Sequence, residues 1–135
     1  MLRLSKMADY AGVVMVCMAA QPQRVHTATS LSAELCLPKT TVAKCLKTLA
    51  KHAVLVSQRG VNGGYMLARP ANQISIAEVI TAMDGPVQMA SCTNGHSGDC
   101  QIEKTCPMRG GWDGINADIY KLLQGKSLAD MVKQI

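Results

Sequence analysis

Three cysteines, Cys92, Cys100 and Cys106, fall in one stretch rich in Ser, Thr, Asn and Gly, with spacing C-x7-C-x5-C. No apolar period surrounds them, so a hydrophobic core does not account for them. Deprotonated thiols are metal ligands and nucleophiles, and three chemistries compete. A zinc site could recruit His96 to make three cysteines and a histidine, although the close cysteine knuckle usual in structural zinc sites is missing. A redox disulfide would leave one thiol over and, in a reducing compartment, would serve as a transient sensor. An iron–sulfur cluster asks for several thiolates on a pliant, glycine-rich loop, and the neighbouring Lys104 and Arg109 favour thiolate over thiol. Spacing places the cluster first and leaves the other two open. Cys17, Cys36 and Cys45 lie in or beside apolar helix positions, where a free cysteine behaves as a small hydrophobe.

The elements that must position these thiols can be read from periodicity and turn chemistry. Ser5 to Ala20 predicts a helix that is apolar on most sides, the pattern of a buried helix that meets a second copy of the chain. Thr29 or Ser30 is placed to cap a short helix ending at Leu35, and Pro38 suits the first position of the next, where no amide hydrogen is needed. In that next helix, Lys39–His52, Val42, Cys45, Leu46 and Leu49 repeat at i, i+3, i+4 and i+7 and so share one face. Lys39, Thr40, Lys44, Lys47 and Lys51 lie largely on the others. Two helices joined by a tight turn, the second basic on its open side, form a helix-turn-helix.

Val54–Ser57 and Tyr65–Ala68 then read as strands around Arg59-Gly60-Val61-Asn62-Gly63-Gly64, a hairpin turn that makes a wing with Arg59 at its tip. A short helix, Ile76–Met83, stops at Asp84-Gly85-Pro86. The irregular stretch of residues 87–108 follows, long enough to suggest function. Ile115, Ile119, Leu122 and Leu123 mark a longer helix ending near Gly125, and Ser127 caps a last turn from Leu128 to Val132. The expected fold is mainly α with a small β-hairpin wing. The expected organisation is a DNA-binding head over residues 1–84, a cluster-binding loop over 85–108, and a dimerisation helix with a terminal turn over 109–135.

Charge and composition fit this division. The 135 residues carry a net +5. Residues 1–69 hold nine basic and two acidic side chains, a net +7, while the remainder is −2. A basic head points to a polyanionic partner. With 3% aromatics and no Phe, the core must be built from aliphatic residues and Met. Arg3 and Lys6 before the apolar run at 11–20 superficially resemble a secretory leader. Asp9 and Tyr10 interrupt its start, and the run falls short of the ~20 residues that span a bilayer. A buried helix and a cytoplasmic location with no membrane partner are the expectation. No nucleophile–base pair or phosphate loop is present, so the chain is expected not to be an enzyme and to have no small-molecule substrate.

Taken in order, Arg3-Leu4-Ser5-Lys6-Met7-Ala8-Asp9-Tyr10-Ala11, the helix-turn-helix, Arg59-Gly60-Val61-Asn62-Gly63-Gly64-Tyr65, Ile76-Ala77-Glu78-Val79-Ile80, the cysteine triad and Leu128-Ala129 resemble the Rrf-two family of bacterial winged-helix regulators, of the IscR/NsrR type. The resemblance covers essentially the whole chain. It implies a homodimer on a double-stranded DNA operator and an iron–sulfur cofactor, with Cys92, Cys100 and Cys106 matching the family's cluster thiolates. The gap between the first two is longer than in close relatives, and the 94–98 segment is expected to absorb it. Where IscR-like members place a fourth-ligand His, this chain has Arg109, which cannot bind iron. NsrR-like members use an Asp from the partner subunit, and Asp9 occupies that position, with His96 as the second candidate. A 2Fe–2S or a 4Fe–4S cluster is compatible with such a set. Thr40, Thr41 and Lys44 are the candidates for base edges, and Lys39, Lys47 and Arg59 for phosphates or the minor groove. The implied role is cluster-sensing regulation, most simply repression of cluster-assembly genes. Nitric-oxide or redox sensing, or a zinc- or thiol-based regulator, is the alternative.

Overall fold

The computed structural model describes residues 2–93 and 100–132. Its elements run α1 (Lys6–Ala20), α2 (Ala28–Leu35), α3 (Lys39–Lys51), β1 (Leu55–Gln58), β2 (Gly64–Leu67), a 3-10 turn (Ala71–Gln73), α4 (Ile76–Asp84), α5 (Gly111–Gln124) and α6 (Leu128–Val132). The chain is a winged helix-turn-helix, mainly helical with one two-stranded antiparallel hairpin among the described residues.

Helix ends are set by side-chain caps. Ser5 Oγ accepts from the Ala8 N–H at 3.0 Å and donates to Asp84 Oδ1 at 2.7 Å, so the start of α1 is fastened to the end of α4. The cap of α2 is Thr27 rather than Thr29 or Ser30. Ser30 sits where its hydroxyl can accept from the Thr27 N–H while Thr27 Oγ1 accepts from the Ser30 N–H, both at 3.0 Å. That reciprocity satisfies two helix-end donors at once. Pro38 stands one residue earlier than expected, at the cap of α3, with extended ψ and no side-chain bond.

The core contains Ala11, Val14, Met15 and Met18 of α1, Leu31 of α2, and Val42, Cys45, Leu46 and Leu49 of α3, joined by Leu55, Ile74 and Val79. Met15 and Met18 are completely buried, supplying in flexible thioether form the volume that a chain without Phe lacks. Burial in α1 is one-sided. Gly12, Val13, Val16 and Cys17 are only partly covered and line an outer groove with Ile76, Val79, Ile80 and Met131.

The wing pairs Leu55 with Leu67 and Gln58 with Gly64, one residue nearer the tip than the sequence suggests on both strands. Val54 is instead held by its own pair of bonds, its N–H to the Leu49 carbonyl and its carbonyl from the Ala68 N–H. The C-terminal turn returns to the head. Leu128 is fully buried, its N–H donates to the Ile74 carbonyl at 2.9 Å, and the Ile76 N–H donates to the Lys126 carbonyl at 2.8 Å. Ser127 and Asp130 cap each other in the manner expected of Ser127.

Candidate functional site

The surface suited to nucleic acid is built by α3 and the wing. Burial of Val42, Cys45, Leu46 and Leu49 leaves Lys39, Thr40, Lys44, Lys47 and Lys51 exposed. Thr40, Lys44, Lys47 and Lys51 fall at i, i+4, i+7 and i+11, a single cationic stripe along the outer side of the helix. Thr41 is half-buried beside the core, so of the two threonines Thr40 presents itself more fully. Burial pushes the Cys45 thiol up, with Lys44 opposing, which keeps this cysteine a neutral core filler. Arg59 is exposed at the wing, where the Gly63 N–H closes the turn on the Gly60 carbonyl at 3.0 Å.

The wing is fixed to the head by a contact that sequence reasoning missed. His26 exchanges both backbone bonds with Tyr65, the His26 N–H to the Tyr65 carbonyl at 2.9 Å and the Tyr65 N–H to the His26 carbonyl at 2.7 Å. A Cβ on Gly64 would lie 2.4 Å from the His26 carbonyl oxygen, so glycine is what lets the strand approach. A bridge one residue long has no period to read; the glycine pair was the available signal.

Cys17 and Cys36 differ from simple core cysteines. Burial, then a hydrogen bond to Glu34, raises the Cys17 thiol above its ordinary value, with Sγ 3.5 Å from Glu34 Oε2. Arg24, 2.7 Å from the other carboxylate oxygen, holds Glu34 below the usual carboxylate range. Cys36 is exposed and left-handed, at φ 55°, where α2 turns toward α3.

Cys92, Cys100 and Cys106 are all free and all half-buried. The described residues on either side of positions 94–99 are made of turns. Thr93 reaches back to Ala90, Glu103 to Cys100, Thr105 to Ile102 and Arg109 to Cys106, each N–H to a carbonyl three residues earlier. A long-range anchor comes from Asn116 of α5, which is buried, accepts from the Met89 N–H at 2.7 Å and donates to the Val87 carbonyl at 3.0 Å. Among the described residues no three His, Cys, Asp or Glu side chains are gathered closely enough to hold a metal. His96 lies outside the described residues. Asp9 is exposed in the first turn of α1, on the rim of the apolar groove. It carries the negative charge that a helix N-terminus favours. By donor type alone, three free thiols suit an iron–sulfur group.

Apolar side chains are also exposed on α5. Trp112, Ile115, Tyr120 and Leu122 of α5 are exposed, Leu122 to 66%. No helix among the described residues is long and apolar enough to cross a membrane.

Comparison with known proteins agrees with this architecture. Residues 4–134 match the family model described as "Rrf2: Iron-dependent Transcriptional regulator". An 84-residue portion, 62% of this chain and 50% of its relative, is 37% identical to the HTH-type transcriptional regulator IscR of Sodalis glossinidius. Among solved structures, the global cysteine regulator CymR of B. subtilis is similar with a TM-score of 0.78 at 20% identity, covering 100% of this chain and 99% of that one. T. potens IscR is similar with a TM-score of 0.72 at 23% identity, covering 98% and 88%. With a family match over almost its entire length, the chain belongs to the Rrf2 family of transcriptional regulators, DNA-binding proteins rather than enzymes.

Proposed function

We propose that this regulator holds an iron–sulfur cluster through Cys92, Cys100 and Cys106, and that its grip on an operator depends on that cofactor. The observation that carries the reading is the presence of three free, half-buried thiols between the helix-turn-helix head and α5, a helix with Trp112, Ile115 and Leu122 exposed. A bound cluster supplies oxidant-labile iron–thiolate bonds, which make its presence a report on cellular state. Asp9 of the partner subunit is the proposed fourth ligand. Lys39, Lys47 and Arg59 hold phosphates or the minor groove, while Thr40, Thr41 and Lys44 face base edges.

The proposed working form is a cytoplasmic homodimer. Its support is the unmatched apolar surface: Trp112, Ile115 and Leu122 on α5, and a groove of about 600 Å³ along α1 lined by Gly12, Val13, Val16 and Ile80. Burying both kinds of surface removes apolar area from water. Two recognition helices then meet successive major grooves about 34 Å apart on a near-palindromic site. Repression of cluster-assembly genes is the proposed output, and nitric-oxide sensing the nearest variant. In a second reading the three thiols act without metal through thiol exchange, which their free state also allows.

Anaerobic purification separates the two readings. Iron and acid-labile sulfide in the protein, with visible absorbance lost in Cys100→Ala, support the cluster. A colourless protein that gains a disulfide on mild oxidation supports the thiol reading, and full colour in Cys100→Ala removes that residue from the site.

A further inference from the structure

We propose that Val61 is a specificity-determining residue of the wing: its isopropyl group packs on the floor and sugar walls of the minor groove and selects A·T over G·C at the base pair beneath it. This rests on the operator-binding role given to the head and adds a base preference that the cationic contacts do not supply.

Val61 is 105% exposed, the highest value among the exposed large hydrophobic residues described. Single exposed hydrophobics are ordinary on protein surfaces, so exposure alone decides nothing. Its place does. Val61 lies in the turn between the last paired residues of the wing, Gln58 and Gly64. Turns of this kind favour Gly, Asn, Asp and Ser, yet here a β-branched hydrocarbon stands between Gly60 and Asn62.

The turn that presents it is held closed. The Gly63 N–H donates to the Gly60 carbonyl, and a Cβ on Gly63 would come 2.3 Å from the Gln58 carbonyl oxygen. At the root, the His26–Tyr65 pair ties the wing to the connection before α2. Val61 is therefore carried at a set distance from the recognition helix instead of on a loose loop. Residues 54–69 contain Arg59 and Arg69 and no acidic side chain, so the electrostatics of the wing favour approach to phosphate.

The groove chemistry gives the selectivity. In the minor groove an A·T pair shows only acceptors, while a G·C pair adds the guanine 2-amino donor. A methyl group pressed on that floor collides with the amino group and strips water from a donor that it cannot satisfy. Over A·T the same methyl meets no such group, and the narrow groove of A-tracts suits the Arg59 guanidinium beside it.

The test starts from a randomised duplex pool selected with the full-length chain, followed by affinity measurements on the selected duplex. Val61→Ala is expected to weaken binding by roughly 5–15-fold, from loss of two buried methyls. Its salt dependence should be unchanged, because no counterion is released by a hydrocarbon contact. The preference for A·T under the wing should fall with it. In the wild type, replacing that A·T by G·C should weaken binding, and inosine·C, which lacks the 2-amino group, should restore it. Val61→Thr keeps the branched shape and its backbone preference, and it too is expected to bind less tightly.

Equal affinity and base preference in Val61→Ala would overturn the proposal. Wild-type affinity in Val61→Thr with loss in Val61→Ala would overturn it as well, assigning the effect to turn stiffness. Failure of inosine to rescue would do the same for the amino-group argument. If the pool yields no duplex at all, the operator-binding role of the head fails first and takes this inference with it.

Discussion

In the head, Leu46, Leu49 and Met15 are fully buried, and elements far apart in sequence fasten one another: Ser5 to Asp84, His26 to Tyr65, Leu128 to Ile74. Among the described residues of the cysteine segment the backbone bonds reach back three residues at a time, Ile102 is 60% exposed, and Asn116 supplies a distant anchor. In the first region packing of Val42, Cys45, Leu46 and Leu49 fixes α3, so its exposed cationic stripe is carried on a set frame. In the second, the described backbone is bonded mainly to near neighbours. A densely packed head and a locally bonded cysteine segment thus occupy successive parts of one chain.

This contrast can be broken or sharpened by substitution. The largest effect belongs to the core: Leu46→Ala is expected to destabilise the protein by ~2–5 kcal/mol in thermal or denaturant unfolding. Ile102→Ala in the cysteine segment should stay within ~0.5 kcal/mol, and equal losses at the two positions would erase the distinction. Asn116→Ala removes both bonds that clip residues 87 and 89 to α5. It should cost about 1–3 kcal/mol and hasten proteolysis after residue 86. Lys39→Ala leaves the fold intact, because its side chain is exposed. It should flatten the salt dependence of DNA binding by about 0.9 for each phosphate the lysine no longer neutralises, and an unchanged slope would remove Lys39 from the DNA backbone.

The smallest effect concerns an ion pair of the head. Burial works to raise the Glu78 carboxyl, but the Arg69 guanidinium and the bonds from Ser75 outweigh it and hold the group below the usual carboxylate range. A carboxyl depressed in the folded state adds stability above its unfolded value and loses it as pH falls through the folded one. Glu78→Gln keeps the amide oxygen that caps α4 and removes the charge. Both partners are more than a third exposed, so the loss at neutral pH should be at most about 1 kcal/mol, and it should shrink as the medium is acidified. A loss that grows on acidification would reverse the assigned sign.

Much of the head is legible in the sequence. The i, i+3, i+4, i+7 period of Val42, Cys45, Leu46 and Leu49 is a packing requirement that leaves its mark residue by residue, and all four are buried. The wing shows itself in its glycines. Other features carry no such mark. Thr27, Thr29 and Ser30 are all chemically able to cap, and Thr29 has Ser32 at the same spacing that Thr27 has Ser30, so the choice of Thr27 leaves no local mark. Cys36 belongs by composition with Cys17 and Cys45, yet it lies exposed in a left-handed turn. The His26–Tyr65 bridge joins distant residues through backbone atoms that every residue possesses. In the cysteine segment, spacing states which donors exist but not how they are arranged, because the described turns there impose no long-range period.

The most direct test of the account measures duplex affinity on the same anaerobic preparation before and after iron is stripped. Coupling between the cysteine segment and the head predicts a difference on the order of 5–150-fold, the usual range for linked sites, and its disappearance in Cys100→Ala. Identical dissociation constants for the iron-loaded and stripped protein would contradict it.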